Sequence, residues 1–183
     1  FLADLRANIN SNMLSMVQAN LEEKVAQRAV EQSNSAQVGT DMAAFVMNHS
    51  PQNFIQYVKQ TFGEDIPDEA ALSLYNDLQN GKLKMPKVTI SDDGLEGSYA
   101  GYNRETDSIQ ISPTLVDQAQ TDPMAAWKLR VAMNEEIGHF IDDQLRNKYS
   151  NIGSRPGHAD AAGDEGARFA RDVLSAASDE QLA

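Results

Sequence analysis

The chain has 183 residues, a formal net charge of −12 and no cysteine. Because nucleic-acid phosphates repel a surface of this charge, we expect no nucleic-acid partner. The lack of cysteine excludes disulfides, thiol catalysis and zinc-ribbon sites, which leaves His, Asp and Glu as metal ligands. No apolar run approaches the ~20 residues that span a bilayer, so we also expect no membrane insertion.

The first part of the chain has the periodicity of helices. Apolar residues recur at helical spacing over residues 2–29, which predicts a long amphipathic helix that packs through this stripe. The polar segment 31–40, EQSNSAQVGT, is expected to end that helix, and Asp41 to cap a short one after it. Prolines at first-turn positions predict two further helices, at 52–62 and 68–80.

The middle of the chain changes to the composition of strands. Short segments rich in β-branched or aromatic residues, separated by turn residues, predict a small sheet from 87–91, 98–103 and 108–112. After a helical linker, apolar spacing predicts a long helix from about 122 to 149. A loop rich in Gly, Ser and Pro then leads to a last helix at about 164–177.

The long helix carries a row of acidic residues around one histidine. Glu135, His139 and Asp143 lie four residues apart and therefore share one face, with Glu136 and Asp142 beside them. Carboxylates this close repel one another, whereas a bound divalent cation converts the repulsion into ligation. The same spacing also occurs on solvated helix faces, where it forms i,i+4 hydrogen bonds.

The motif EExxH is similar to the HExxH motif of zinc metallopeptidases. In HExxH, two histidines bind zinc and the glutamate between them acts as general base toward a metal-activated water. Here Glu135 stands in the place of the first histidine, Glu136 in that of the base and His139 in that of the second histidine. A carboxylate is a competent zinc ligand, and it shifts selectivity toward harder cations such as Mn²⁺ or Ca²⁺.

A third ligand is expected from the segment HADAAGDEG. In gluzincin metallopeptidases this ligand is a glutamate on the helix after the active-site helix, which favours Glu165, with Gly166 beside it leaving room for close approach. Asp164 is an alternative that is equally well explained as the N-terminal cap of that helix. Asp160 and His158 are further candidates.

Two tyrosines of the predicted sheet are candidates for a supporting role. Tyr99 or Tyr102 could stabilise an oxyanion opposite the metal, although packing is the more common role of a strand tyrosine. The strand 99–103 also offers an edge along which an extended peptide could align.

The sequence from Ala100 to Ala176 resembles a metallopeptidase region of very large secreted bacterial proteins, often found near calcium-binding repeats. The resemblance rests on three segments: Ile109 to Ser112, Glu135 to Leu145 (EEIGHFIDDQL) and Asp160 to Ala170 (DAAGDEGARFA). Members of the family share EE in place of HE. This chain departs from them at Ala162, where proline is usual, and in a longer insertion, SNIGSRPGHA, before Asp160.

The resemblance and the residues together predict one α+β domain over 1–183 with a zincin-like fold. A helical N-terminal portion, 1–82, precedes a small, mainly antiparallel sheet, an active-site helix and a closing C-terminal helix in 83–183. The predicted activity is zinc-dependent hydrolysis of a peptide or protein substrate, in a secreted protein or a part of one.

Three other interpretations remain open. The domain could be a catalytically inactive adhesion or interaction module of a large secreted protein, or a secreted effector or toxin peptidase with one narrow target. A di-iron bundle shares the Glu-x-x-His element of Glu136 and His139, but it needs a second such element, which this chain lacks.

Overall fold

The described residues, 2–153 and 164–180 of a computed structural model, form an α+β fold. The elements in chain order are α1 (Leu2–Met47), α2 (Pro51–Phe62), α3 (Asp68–Gln79), β1 (Lys87–Ile90), β2 (Ala100–Asn103), β3 (Ser108–Ile111), α4 (Pro113–Ala119), α5 (Pro123–Asp143), a π-helical turn (Gln144–Tyr149) and α6 (Glu165–Glu180).

Helix α1 is continuous through the polar segment 31–40, so the predicted break is wrong. The polar side chains of this segment bond within the helix instead of ending it; Asn34 donates to the Val30 carbonyl and Thr40 to the Ala36 carbonyl. Val38 is buried. Asp41 is not a cap, because its fully buried carboxylate accepts two hydrogen bonds from Arg130 of α5. Tertiary contacts therefore carry the helix across a sequence of weak helix formers.

The apolar stripe of α1 does not pack where we expected. Residues 13–25 are all exposed, and the side chains of Met16 and Leu21 are 73% and 62% accessible. From Gln27 onward the helix lies against the body of the protein, where Gln27 donates to Asp117 of α4. Residues 13–25 of α1 thus lie away from the core.

Helix α2 begins at the predicted proline. Ser50 caps it by accepting a hydrogen bond from the backbone N–H of Asn53, and Pro51 occupies the first turn, where its missing N–H costs nothing. Phe54, Val58 and Phe62 recur at i, i+4 and i+8 and are buried against the core. The last of these residues brings the end of α2 to the cleft described below.

The sheet is mixed, with the strand order β1-β3-β2. Strand β2 pairs with β3 in antiparallel fashion, as a hairpin requires, but β1 and β3 are parallel. The expectation of a mainly antiparallel sheet was therefore wrong for half of the pairings. After β1 the chain crosses to the far edge to form β2, and the hairpin returns β3 between them in the direction of β1.

The core lies between the sheet and helices α1 to α6. Ile109 and Ile111 of β3 are buried, as are Leu129, Met133 and Phe140 of α5. The last residues of the long helix, 144–149, are wound as a π-helix, a form that often marks a functional region. In the described ranges, no helix combines the length and apolarity needed to cross a bilayer.

Candidate metal centre

Helix α5 supplies the EExxH residues and holds them under strand β2. Asp122 caps its first turn by accepting from the Met124 backbone N–H, and Pro123 follows at the first position. The Phe140 ring packs edge-on against Tyr102 of β2, with 5.8 Å between ring centroids. One face of α5 therefore meets the sheet, and the EExxH residues face the space beside the edge strand.

Two glycines bring α5 and α6 into backbone contact. A Cβ atom built on Gly138 would lie 2.7 Å from the Cα of Gly166, and one built on Gly166 would lie 2.6 Å from the Glu135 carbonyl oxygen. Because real Cβ atoms essentially never approach so closely, a side chain at either position would push the helices apart. Gly138 therefore faces α6.

The close approach of α6 brings an acid to the EExxH face. One donor atom each from Glu135, His139 and Asp164 lies within 4.8 Å of the other two. An imidazole nitrogen and two carboxylate oxygens are a suitable donor set for Zn²⁺, and also for Mn²⁺. In a tetrahedral zinc site the ligand atoms are ~3.4 Å apart, so the three donor atoms would have to move closer together to share a zinc ion.

His139 lies between two consecutive carboxylates. Its Nε2 is 3.3 Å from Oδ1 of Asp164, and its Nδ1 is 3.9 Å from Oε1 of Glu165. Burial lowers the pKa of His139. The nearby carboxylates of Glu165, Asp164 and Glu136 together raise it by a larger amount, so that the resulting pKa is about 9. In the metal-free protein the imidazole is therefore a cation at neutral pH.

Asp164 serves two purposes at once. Its Oδ1 accepts hydrogen bonds from the backbone N–H groups of Gly166 and Ala167, so it caps α6 as the sequence allowed. The same carboxylate faces His139. Asp164 thus lies with Glu135 and His139 as the third possible donor. Glu165, the first choice from the sequence, lies near the other ring nitrogen of His139.

Glu136 is buried and held by the edge strand. Its Oε2 accepts a hydrogen bond of 2.7 Å from the backbone N–H of Tyr102, and the residue is only 9% exposed. Burial raises the pKa of Glu136, and the nearby His139 and the Tyr102 N–H lower it by less. A carboxyl with a raised pKa beside a metal-binding group is the arrangement that general-base chemistry requires.

The remaining acids of the row are paired with arginine side chains, away from the three candidate metal ligands. Asp142 accepts a hydrogen bond of 2.9 Å from Arg146, whose buried guanidinium also contacts Asp65. Asp143 pairs with Arg104 and accepts from Asn147. These pairs relieve the repulsion that the sequence predicts for four adjacent carboxylates.

The Tyr102 phenol faces these paired acids. Its hydroxyl donates to Asp107 at 3.2 Å and Asp143 at 3.4 Å. Burial and the two carboxylates raise the pKa of the phenol above its ordinary value, which keeps it neutral. The group of Tyr102 that contacts Glu136 is its backbone N–H, a donor that a sequence pattern does not reveal.

An open cleft of about 790 Å³ runs along these residues. Its walls come from α5, from β2, from the start of α6 and from the end of α2. The side chains that line it include Thr61, Phe62, Tyr99, Tyr102, Arg104, Glu135, Glu136, His139, Asp142, Asp164, Glu165 and Arg168. The sequence did not indicate the contribution of α2, because Thr61 and Phe62 carry no distinctive chemistry.

The other predicted ligands, His158 and Asp160, lie outside the described residues. Comparison of the chain with protein-family models, with curated proteins and with solved structures finds no match. The chemistry of the cleft is therefore the basis for assigning a function.

Proposed function

We propose that this protein is a zincin-like, metal-dependent peptidase related to the metallopeptidase region of large secreted bacterial proteins. The observation that carries the proposal is the convergence of Glu135, His139 and Asp164 within 4.8 Å, in a cleft beside the buried carboxyl of Glu136. One helix thereby supplies two metal-binding groups and a base at the spacing of the HExxH motif.

The donor set favours Zn²⁺, with Mn²⁺ and Ca²⁺ as competing cations. Glu135 and His139 are the ligands from α5, and Asp164 is the third ligand. Glu165, whose Oε1 is 3.9 Å from Nδ1 of His139, would accept a hydrogen bond from that nitrogen after a small movement of its side chain and so fix the ring, as carboxylates beside metal-bound histidines commonly do. When bound, the cation supplies a Lewis acid and lowers the pKa of water.

Glu136 is the proposed general base. It accepts a proton from the attacking water and delivers it to the leaving amine. Its raised pKa suits this exchange, because a carboxyl that is too acidic holds a proton too weakly to pass it on. In the free protein the Tyr102 N–H holds one oxygen of Glu136 by a hydrogen bond.

Strand β2 offers a place for the substrate backbone. The Ser112 N–H donates to the Tyr99 carbonyl, so by antiparallel alternation Ala100 and Tyr102 direct their backbone groups to the outer edge. Among the described strands nothing pairs with that edge. An extended peptide added there lies along the cleft, beside the metal-binding residues.

Elemental analysis and a protease assay test the proposal together. Protein purified without chelator is expected to hold about one equivalent of zinc and to hydrolyse denatured casein. Glu136→Gln is expected to keep the metal and to lose ~10²- to 10⁴-fold in kcat. The matched control is Glu69→Gln, which neutralises an exposed acid in the first turn of α3 and should keep full activity.

Each outcome of this experiment bears on the proposal. Full activity in Glu136→Gln, or protein that binds no divalent cation, would refute it. Metal binding without hydrolysis of casein would favour a peptidase with one narrow target or an inactive module. Screening for a cleaved partner in a mixture of extracellular proteins would separate those two.

A further inference from the structure

A second groove lies between α5 and α6, next to the cleft. Its volume is about 360 Å³, and its walls are mostly apolar. The residues that line it are Trp127, Val131, Glu135, Ala167, Ala170, Arg171, Leu174 and Ser175. Trp127 is 44% exposed, so a large aromatic surface faces solvent at this place.

The groove adjoins the cleft at one residue. Glu135 lines both, so the apolar walls begin at a proposed metal ligand. The two helices run antiparallel and touch at Gly138 and Gly166.

The dimensions match an extended peptide. Val131 and Trp127 precede Glu135 by one and two helical turns, or ~6 and ~12 Å along α5. Alternate side chains of an extended chain point the same way and are ~7 Å apart. If the peptide bond to be hydrolysed lies at Glu135, His139 and Asp164, a side chain about two residues away along the peptide therefore reaches the groove.

The size of the groove points to a single side chain. At about 360 Å³ it is at the lower end of small-ligand sites. The groove lies beside the cleft in which we propose that a peptide binds. This position further favours a part of the same peptide as the occupant of the groove.

We propose that this groove is a specificity subsite that takes a bulky apolar side chain, aromatic or branched aliphatic, of the peptide substrate. The inference rests on the proposed peptidase function, whose cleft supplies the peptide backbone. Trp127 and Val131 form the apolar walls, and Glu135 marks the border with the metal-binding residues.

Trp127 is the only tryptophan of the chain, so its fluorescence reports occupancy of the groove. The test uses Glu136→Gln protein, with and without zinc, and four peptides that differ at one position: Phe, Leu, Ala or Lys. We expect the Phe and Leu peptides to shift the Trp127 emission and to bind at least ~10-fold more tightly than the Ala and Lys peptides, by calorimetry.

A charge on the groove wall sharpens the test. Val131→Glu places a carboxylate on the half-buried wall and is expected to reverse the order, so that the Lys peptide binds more tightly than the Phe peptide. Met124→Glu makes the same charge change at an exposed position of α5 that lines neither cavity. It should keep the preference for Phe and Leu.

The results separate the two proposals. Equal affinity for all four peptides, or binding that leaves the Trp127 emission unchanged, overturns the subsite even if the wild-type protein hydrolyses peptides. An apolar preference that Val131→Glu reverses supports the subsite. If the wild-type protein with that preference cleaves none of the peptides, the peptidase function fails while the binding groove stands.

Discussion

His139 is held by charge on both sides of its ring. Asp164 faces one ring nitrogen and Glu165 the other, and the ring itself is largely buried. Because a protonated imidazole cannot bind a metal, the ring must lose its proton before a cation enters. The same carboxylates that attract the cation therefore also retain the competing proton.

This competition makes metal binding dependent on pH. With the pKa of His139 at about 9, we expect zinc affinity to rise about tenfold per pH unit between pH 7 and 8.5. Calorimetric titrations at several pH values measure this slope. An affinity that is flat over the range would contradict the combination of a raised pKa and a ligand role for His139.

The stability of the metal-free protein should have the opposite dependence. The folded-state pKa of His139 lies above the ordinary value of 6.5, so its charge stabilises the fold fully below pH 6.5, and this contribution is lost as the pH rises through 9. Thermal unfolding in the presence of a chelator should show a Tm that falls over this range. In His139→Gln this component of the pH dependence should be absent.

Two adjacent acids are distinguished by conservative variants. Asp164→Asn keeps a good N-terminal cap for α6 and removes the carboxylate, so the fold should remain while zinc affinity falls by more than ~100-fold. Glu165→Gln should cost ~10- to 100-fold, as expected for a residue that orients a ligand. The reverse order would identify Glu165 as the third ligand, as the sequence favours.

At the scale of elements, the contact between α5 and α6 sets the spacing of the metal-binding residues. Gly166 lets α6 approach the Glu135 carbonyl and the His139 ring so closely that no Cβ fits. The distance between Asp164 and the α5 donors thus depends on a contact between backbones. Damage to that contact should affect the metal without any change in a ligand.

Gly166→Ala tests this dependence. The added methyl would lie 2.6 Å from the Glu135 carbonyl oxygen, so we expect a loss of ~1 to 3 kcal/mol in the free energy of unfolding and weaker zinc binding. Gly39→Ala on α1 is the control. It meets no atom within 4 Å and should stabilise the fold by up to ~1 kcal/mol in chemical denaturation.

The elements show what a sequence can and cannot predict. Prolines near the starts of α2 and α3 and apolar spacing in α5 were sufficient, because those signals are local. The continuation of α1 through 31–40 was missed, because it depends on partners such as Arg130 that lie some 90 residues away in the chain. The parallel pairing of β1 with β3 was missed for the same reason.

The candidate site likewise has parts that the sequence predicts and parts that it does not. Glu135, Glu136 and His139 follow from helical spacing alone, and the structure brings Asp164 to them. The bond from the Tyr102 N–H to Glu136 was not predictable, because every residue except proline carries that donor. The choice between Asp164 and Glu165 depends on the direction of α6, which no local pattern records.

At the scale of the whole molecule, α1 has an exposed segment, residues 13–25, followed by a segment that packs in the core. Residues 13–25 are exposed, whereas Val38, Met42 and Phe45 are in the core and Asp41 bonds to α5. The packed segment connects the N-terminal part of the chain to α5. The two segments of one helix should therefore contribute very differently to stability.

Deletion of residues 2–24 tests that division. We expect the free energy of unfolding to change by less than ~0.5 kcal/mol, because residues 13–24 of the deleted segment are all exposed. Circular dichroism should show a loss of helix in proportion to the deleted length. A deletion that instead extends through Phe45 should unfold the protein, since it removes core residues.

The hydrogen bond between Glu136 and the edge strand has a consequence for the order of events in the cleft. One backbone N–H serves a single strong acceptor, so a peptide carbonyl that docks on Tyr102 must displace the Glu136 carboxylate. Docking would then free the Glu136 carboxylate, the proposed base, only when a peptide backbone is already in place beside it. The resting protein would keep its proton acceptor tethered, and the arriving chain itself would release it.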